Sequence, residues 1–385
     1  MAECFINGQG GSGNSDYEFT FSADGKFQYP AKVIIPNTVT SLRGSSLQGF
    51  YQHSEIEEVE FENDSVITEI PNNCFSGCIK LRKILIPKLV EKIDIYAFSG
   101  DINLESVNFE SDEEKTVSVL NQAFYNCSNL KEFNLDNVLL KLDGNKIFYN
   151  CTALDNDLVQ YIISHTDTTS SGNYLFENCS SITDIETNFV AQYMFQGCDQ
   201  LKNAVIGYEG STVRAGVFSN CTALENVSIN SLVNMGVSFF ENCTSLKEVV
   251  LPSNLTTLGN GIFKNCSGIE NIIFNSIPNC AAFTYVNTNN PFYGCTALKN
   301  ISFPNEWNQN IIISNGTTNF TNSLTAECLK NIFESLYDYT NGTAHTLQIG
   351  TTHLQLAINT TYVPEGGSEP LPIINIAYNK NWTVS

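Results

Sequence analysis

The amino-acid sequence predicts an α/β repeat solenoid, and three observations lead there. One phrase recurs eleven times: Phe, usually Asn or Gly two residues on, usually Cys next, then Leu or Ile three further on. The opening rings are Phe50, Phe75, Phe98, Phe124, Phe148, Phe176, Phe195, Phe218, Phe240, Phe263 and Phe292, a mean spacing of 24.2 residues. After each phrase comes an alternating segment such as Val107-Asn-Phe109, Phe133-Asn-Leu135, Val227-Ser-Ile229 or Val249-Val-Leu251, whose period of two is that of a short strand with one face inward. A period of about 20–29 residues marks stacked strand-and-turn coils. One coil cannot bury its apolar side alone, so the coils share a continuous core.

Each position in the phrase has a structural reason. The residues two after the rings are Gln52, Gly77, Gly100, Asn126, Asn150, Asn178, Gly197, Asn220, Asn242, Asn265 and Gly294. Gly and Asn enter the left-handed backbone region at least cost, which predicts a sharp turn with positive φ in every coil. Nine cysteines hold one register, from Cys78 to Cys295, while His53 and Asp101 replace the cysteine in two coils. Those two coils flank Cys78, so pairing cannot be the rule. In-register side chains on coils about 4.8 Å apart run parallel, whereas a disulfide needs converging Cβ atoms. Buried free thiols are therefore expected. Pro87, Pro252 and Pro304 follow strand segments and close them, because proline cannot extend the ladder. A second apolar stretch, such as Val39-Thr-Ser-Leu42 or Leu255-Thr-Thr-Leu258, leads back towards the next ring.

Phe-x-Asn-Cys-x-x-Leu-x-x-Val-x-Ile-Pro resembles the BspA-like leucine-rich repeat over about residues 32–304. The resemblance implies a leucine-rich-repeat right-handed superhelix with a parallel β-sheet on one face, and a role in adhesion or partner recognition. The chain then divides into an N-terminal tether and cap at 1–31, the solenoid at 32–304, and a C-terminal helix-strand cap at 305–385. In that cap, Leu329, Ile332, Phe333 and Leu336 share one helical face after the cap residue Thr325, and a strand is expected at His345–Ile349. The Pro/Gly-rich stretch from Pro364 to Pro372 is expected to be a loop. Upstream, Gly8–Gly13 forms a glycine-rich run, and Tyr17, Phe19 and Phe21 alternate as a capping strand. Ring intervals of 28 and 29 residues place insertion loops at Ser164–Gly172 and Pro278–Asn290.

Composition narrows the partners. Asp and Glu outnumber Lys and Arg by 40 to 19, a formal charge of -21, which repels phosphate backbones and anionic headgroups. Neither nucleic acid nor membrane insertion is expected, since no apolar run approaches the roughly 20 residues of a bilayer span. The amino terminus has no basic start followed by an apolar run, so no secretory signal is visible. An extracellular surface or virion-associated location then needs another route, and the cytoplasm stays open.

Catalytic and metal signatures are weak. The four histidines, His53, His165, His345 and His353, have no metal-ligand spacing. No Cys-x-x-Cys, Gly-x-Ser-x-Gly or phosphate loop occurs, so no metal, no cofactor and no catalytic residue is expected. Gly8–Gly13 spells a dinucleotide-binding fingerprint without the strand and helix that would make it one. Six Asn-Cys-Ser/Thr triplets spell glycosylation acceptors, but the turn already accounts for them. A β-helix-like polysaccharide-degrading enzyme using Glu58 with Glu60, or Asp184 with Glu186, is the catalytic alternative.

The binding alternative has a definite address on the sheet face. Outward strand positions should align in two columns. Those read as ligand-binding are Glu132, Asn203, Asn226, Glu248, Asn271 and Asn300 in one, with Asn134, Val205, Ser228, Val250, Ile273 and Ser302 beside them. This face suits a protein or glycan on a cell or particle surface. Val205, Val250 and Ile273 equally suit cover by a neighbouring subunit, in a homo-oligomer or as part of a phage tail.

Overall fold

A computed structural model describes residues 3–5, 32–42, 50–167, 169–207, 210, 212, 214–284, 287–313, 324–365, 367 and 369–385. The expected glycine run at Gly8–Gly13 and the Tyr17, Phe19 and Phe21 strand lie outside the described residues. The chain forms two compact units, Met1–Thr183 and Asp184–Ser385.

The first unit contains β1 (Glu3–Phe5), β2 (Lys32–Ile35), β3 (Glu58–Phe61), β4 (Glu69–Ile70), β5 (Lys83–Ile86), β6 (Lys92–Ile93), β7 (Ser106–Phe109), β8 (Lys115–Val119), β9 (Glu132–Asn134), β10 (Val138–Leu142) and helix α1 (Asn156–Ser164). Strands β1, β2, β3, β5, β7 and β9 form one sheet in that order, while β4, β6, β8 and β10 form a second. Every pair in both is parallel. Successive coils therefore contribute one strand to each wall, as a solenoid requires.

The second unit repeats the plan with β11 (Asp184–Thr187), β12 (Asn203–Gly207), β13 (Asn226–Ser231), β14 (Asn234–Met235), β15 (Glu248–Leu251), β16 (Thr257–Leu258), β17 (Asn271–Phe274) and β18 (Asn300–Ser302). It ends with β19 (Ile311–Ile312), α2 (Ala326–Ser335), β20 (His345–Gln348), α3 (Gly350–Asn359), β21 (Thr361–Tyr362), β22 (Leu371–Pro372), α4 (Ile374–Asn379) and β23 (Trp382–Val384). The face strands make two parallel ladders, β11-β12-β13 and β15-β17-β18. The Thr325 hydroxyl accepts the Cys328 N–H at 3.0 Å and starts α2, which lies against the last face strand, where the Ile301 N–H meets Cys328 Sγ at 3.1 Å.

The interior follows the repeated phrase. All eleven phenylalanines are buried, at 1 % exposure or less. In the first unit Phe50, Phe75, Phe98, Phe124, Phe148 and Phe176 stack at 5.3–5.5 Å. In the second, Phe195, Phe218, Phe240 and Phe263 stack at 5.8–5.9 Å, and Phe292 stacks on Phe283 of the insertion at 6.0 Å. Each ring removed from water contributes about 1.5–3 kcal/mol before entropy is counted.

The expected turn is present in all eleven coils. Positive φ is found at every residue two after a ring, including Gln52 at 59°. A second left-handed corner stands two residues before the rings, at Asn73, Tyr96, Gln122, Lys146, Tyr174, Tyr193, Gly216, Ser238 and Gly261. No single residue type marks it: Tyr, Gly, Asn, Gln, Lys and Ser all occur there, so spacing alone does not reveal it. Both corners turn an N–H along the stack: Tyr96 donates to Asn121 O at 3.0 Å, Phe98 to Ala123 O at 2.8 Å and Gly100 to Tyr125 O at 2.7 Å. These bonds to the next coil offset the left-handed penalty of roughly 1–2 kcal/mol per residue.

The thiols do more than fill space. Cys78, Cys127, Cys151, Cys179, Cys221, Cys243, Cys266 and Cys295 each place Sγ 2.9–3.2 Å from the carbonyl of the phrase phenylalanine one coil earlier. The twelve cysteines from Cys74 to Cys328 are all buried and free of disulfides.

The three expected loop stretches adjoin or contain more regular structure than their spacing predicts. The loop placed at Ser164–Gly172 is preceded by α1, which takes the place of a face strand in its coil. Asp155 caps it by accepting the Leu158 N–H, and Leu158, Val159, Ile162 and Ile163 make its buried stripe. Within Pro278–Asn290 a 3-10 turn forms at Ala281–Thr284 and buries Phe283. The Pro364–Pro372 stretch closes a small antiparallel hairpin, β21 with β22.

Candidate functional site

Because the periodic residues face inward, the outward strand positions are what a partner can meet. The pairing register aligns them as expected. In the first unit Glu58 pairs with Lys83, Lys83 with Ser106 and Ser106 with Glu132, and beside them Leu85, Asn108 and Asn134 align. In the second, Asp184, Asn203 and Asn226 align, as do Glu186, Val205 and Ser228. Glu248, Asn271 and Asn300 form the next run, next to Val250, Ile273 and Ser302.

Of the twelve candidate residues, Glu132 and Asn134 belong to the first unit and the other ten to the second. Glu132, Asn134, Asn226, Ser228, Glu248, Val250, Asn300 and Ser302 are exposed, whereas Asn203, Val205, Asn271 and Ile273 are half-buried. The apolar stripe is thus narrower than the sequence suggests: Val250, at 40 % exposure, is its most open member. Ser106, in the first-unit column, is buried.

The amides bond to one another along the stack. Asn226 Nδ2 donates to Asn203 Oδ1 at 2.8 Å, and Asn203 Nδ2 to Asp184 Oδ1. Asn300 Nδ2 donates to Asn271 Oδ1 at 2.8 Å. Each chain ends on an amide, at Asn226 and Asn300, whose oxygen lone pairs suit donors from outside. A shallow groove of about 280 Å³ runs over β12, β13 and β15, lined by Asn203, Val205, Asn226, Ser228, Lys247 and Glu248 among others. It lies where the hydrogen-bonded ladder lapses between β13 and β15.

The first-unit face carries a groove of about 300 Å³ with a different lining: Glu58, Glu60, Lys83, Leu85, Asn108 and Glu110 stand around it. Lys32 bridges both Glu58 and Glu60. Those carboxylates share one cation, which is an ion-pair arrangement rather than the separated acid and base of glycoside hydrolysis. At the other proposed pair, Asp184 accepts the Asn203 amide. Five of the six asparagines of the glycosylation-like triplets are engaged in ladders of their own, Asn150 to Asn126 at 3.0 Å in the first unit, and Asn242 to Asn220 at 2.7 Å and Asn265 to Asn242 at 3.0 Å in the second.

One surface feature escaped the sequence reading. Seven residues after the rings stand Glu57, Arg82, Glu105, Lys131 and Asp155 in the first unit, and Lys202, Glu225, Lys247, Glu270 and Lys299 in the second. Charge alternates along both runs at the rim of the sheet. Glu105 holds Arg82 at 3.6 Å and Lys131 at 3.0 Å, and Lys299 holds Glu270 at 2.8 Å. Counting from each ring would have found it.

Comparison with known proteins agrees with this architecture. The BspA type leucine rich repeat region matches in six copies over residues 21–155, 113–221 and 169–290. The chain belongs to this family. BspA-type solenoids offer an extended sheet face of the kind that repeat proteins use to bind other proteins. Among solved structures, a leucine-rich repeat protein from Bacteroides ovatus is 23 % identical over 71 % of this chain and 78 % of its own, with a TM-score of 0.41. The pneumococcal vaccine antigen PcpA is 17 % identical over 91 % and 80 %, at 0.42. A leucine rich cell surface protein from Faecalibacterium prausnitzii is 19 % identical over 78 % and 86 %, at 0.37. No curated protein matches the chain.

Proposed function

We propose that this BspA-type chain is a non-catalytic recognition scaffold that binds a protein on another surface through the second-unit sheet face. The observation that carries it is that amides, Asn203 and Asn226 in one ladder and Asn271 and Asn300 in the next, align beside Val205, Val250 and Ile273. Amides donate and accept, while the stripe offers area whose removal from water favours docking. None of the ten second-unit residues is aromatic, which favours a protein partner over a glycan. Adhesion at a cell surface is the setting this reading suits.

The test uses the full chain against arrays of host surface proteins and glycans, with Asn226→Arg and Val250→Arg variants. Each exposed substitution should weaken binding at least tenfold, about 1.4 kcal/mol, without lowering the melting temperature. Undiminished binding by both variants would reject this face.

A further inference from the structure

Asp101 occupies the cysteine register of the coil opened by Phe98. It is fully buried at 0 % exposure. Its Oδ1 accepts the Cys78 N–H at 2.8 Å, and its Oδ2 is buried with no hydrogen-bond partner. In eight other coils this register supplies a donor to the carbonyl of the preceding phrase phenylalanine. An ionised carboxylate supplies none and would set a second negative oxygen in an apolar interior.

We propose that Asp101 is a proton-dependent joint of the first unit: folded, it keeps its proton on Oδ2 and donates that O–H to the Phe75 carbonyl, in place of the missing thiol. The titratable groups that face it are the Cys74 and Cys78 thiols of the preceding coil and the Cys127 thiol of the following one. No cation among the described residues compensates it. Burial pushes its carboxyl well above the ordinary range, against the pull of the Cys78 and Gly77 N–H groups.

The sign of the effect follows. An unfolded Asp titrates at about 3.9, and the folded group titrates higher, so the folded unit binds more protons. Its stability is complete below that pH and falls as pH rises towards the folded value, by up to tenfold per pH unit in the folding constant. The joint therefore tightens in acid and loosens in base.

The experiment compares the folding equilibrium of the full chain with Asp101→Asn and Asp101→Cys from pH 5 to pH 9. Asparagine keeps an acceptor for Cys78 and adds a neutral donor, and cysteine restores the ladder. Both variants should gain on the parent as pH rises, approaching tenfold per unit. The parent alone should also show a protonated-carboxyl stretch in the infrared at neutral pH, which Asp101→Asn removes. A stability gap that does not move with pH, or a parent without that stretch, overturns the proposal.

Discussion

The two units follow the same interior plan and differ on the surface. Both stack phenylalanines face to face, turn at left-handed corners and link coils by thiol-to-carbonyl contacts. On the first-unit face the charges neutralise one another, Lys32 with Glu58 and Glu60, and Glu105 with Arg82 and Lys131. On the second, amides take over and the exposed groups remain capable of both donating and accepting. The contrast teaches where such a fold can vary. A change inside one coil must suit the coils on either side, whereas an outward residue has only its column neighbours to satisfy. Even the interior has a difference of degree: rings lie 5.3–5.5 Å apart in the first unit and 5.8–5.9 Å in the second.

The largest effect should come from testing whether the two interiors are equivalent. Phe124 stacks on Phe98 and Phe148 and meets Phe133 edge-on at 5.4 Å. Phe240 stacks on Phe218 and Phe263 and meets Phe239 edge-on at 4.9 Å. Truncation of either to Ala should cost about 3–5 kcal/mol, read by denaturant unfolding. A loss under about 1 kcal/mol at one ring only would break the comparison, by showing that its unit collapses around the cavity.

The solenoid was legible because its constraints repeat. Eleven copies average out local noise, so the strands, the corner after each ring, the thiol register and the alignment of the outward columns could all be read from spacing. What escaped was written once or in no common letter. The corner before nine of the rings is left-handed whether it is Tyr, Gln, Lys or Ser, because backbone bonds to the next coil impose it. Helix α1 had its signal in Asp155 and the Leu158, Val159, Ile162 and Ile163 stripe, but it interrupts a strand register that repetition made persuasive. Helix α3 opens at Gly350 with φ 73° and no side-chain cap, so it carried no start signal. For the candidate face, alignment was readable while exposure was not: whether Val205 or Ile273 is half-covered depends on neighbours outside its own coil.

A middle-sized effect separates thiol packing from thiol reactivity. Cys151 donates to Phe124 O and Cys243 to Phe218 O, both at 3.1 Å. Each carbonyl also accepts a backbone N–H, from Cys127 and from Cys221, so Cys→Ala should cost about 1–2 kcal/mol in either unit. Burial pushes both thiols well above the usual range. At a pH near 8.5, where a free cysteine is about half thiolate, the native chain should resist alkylation and become reactive only on unfolding. Rapid labelling of one unit in the native state would mark it as the looser of the two.

The smallest effect lies at the rim, where the two alternating-charge columns differ. Glu105 is held by Lys131 and Arg82, and the bond and charge of Lys131 draw its carboxyl below the usual range. That contribution is present above the ordinary carboxyl range and is lost as pH falls through the lowered value. Among the described residues, no ion pair links Glu225 to Lys202 or Lys247. Glu105→Gln should therefore lower the melting temperature slightly at low salt and neutral pH, with the difference vanishing in high salt or acid. Glu225→Gln should shift it less under every condition. Equal shifts for the two would mean that the alternating field of the whole column, rather than its individual bridges, keeps the coils in register.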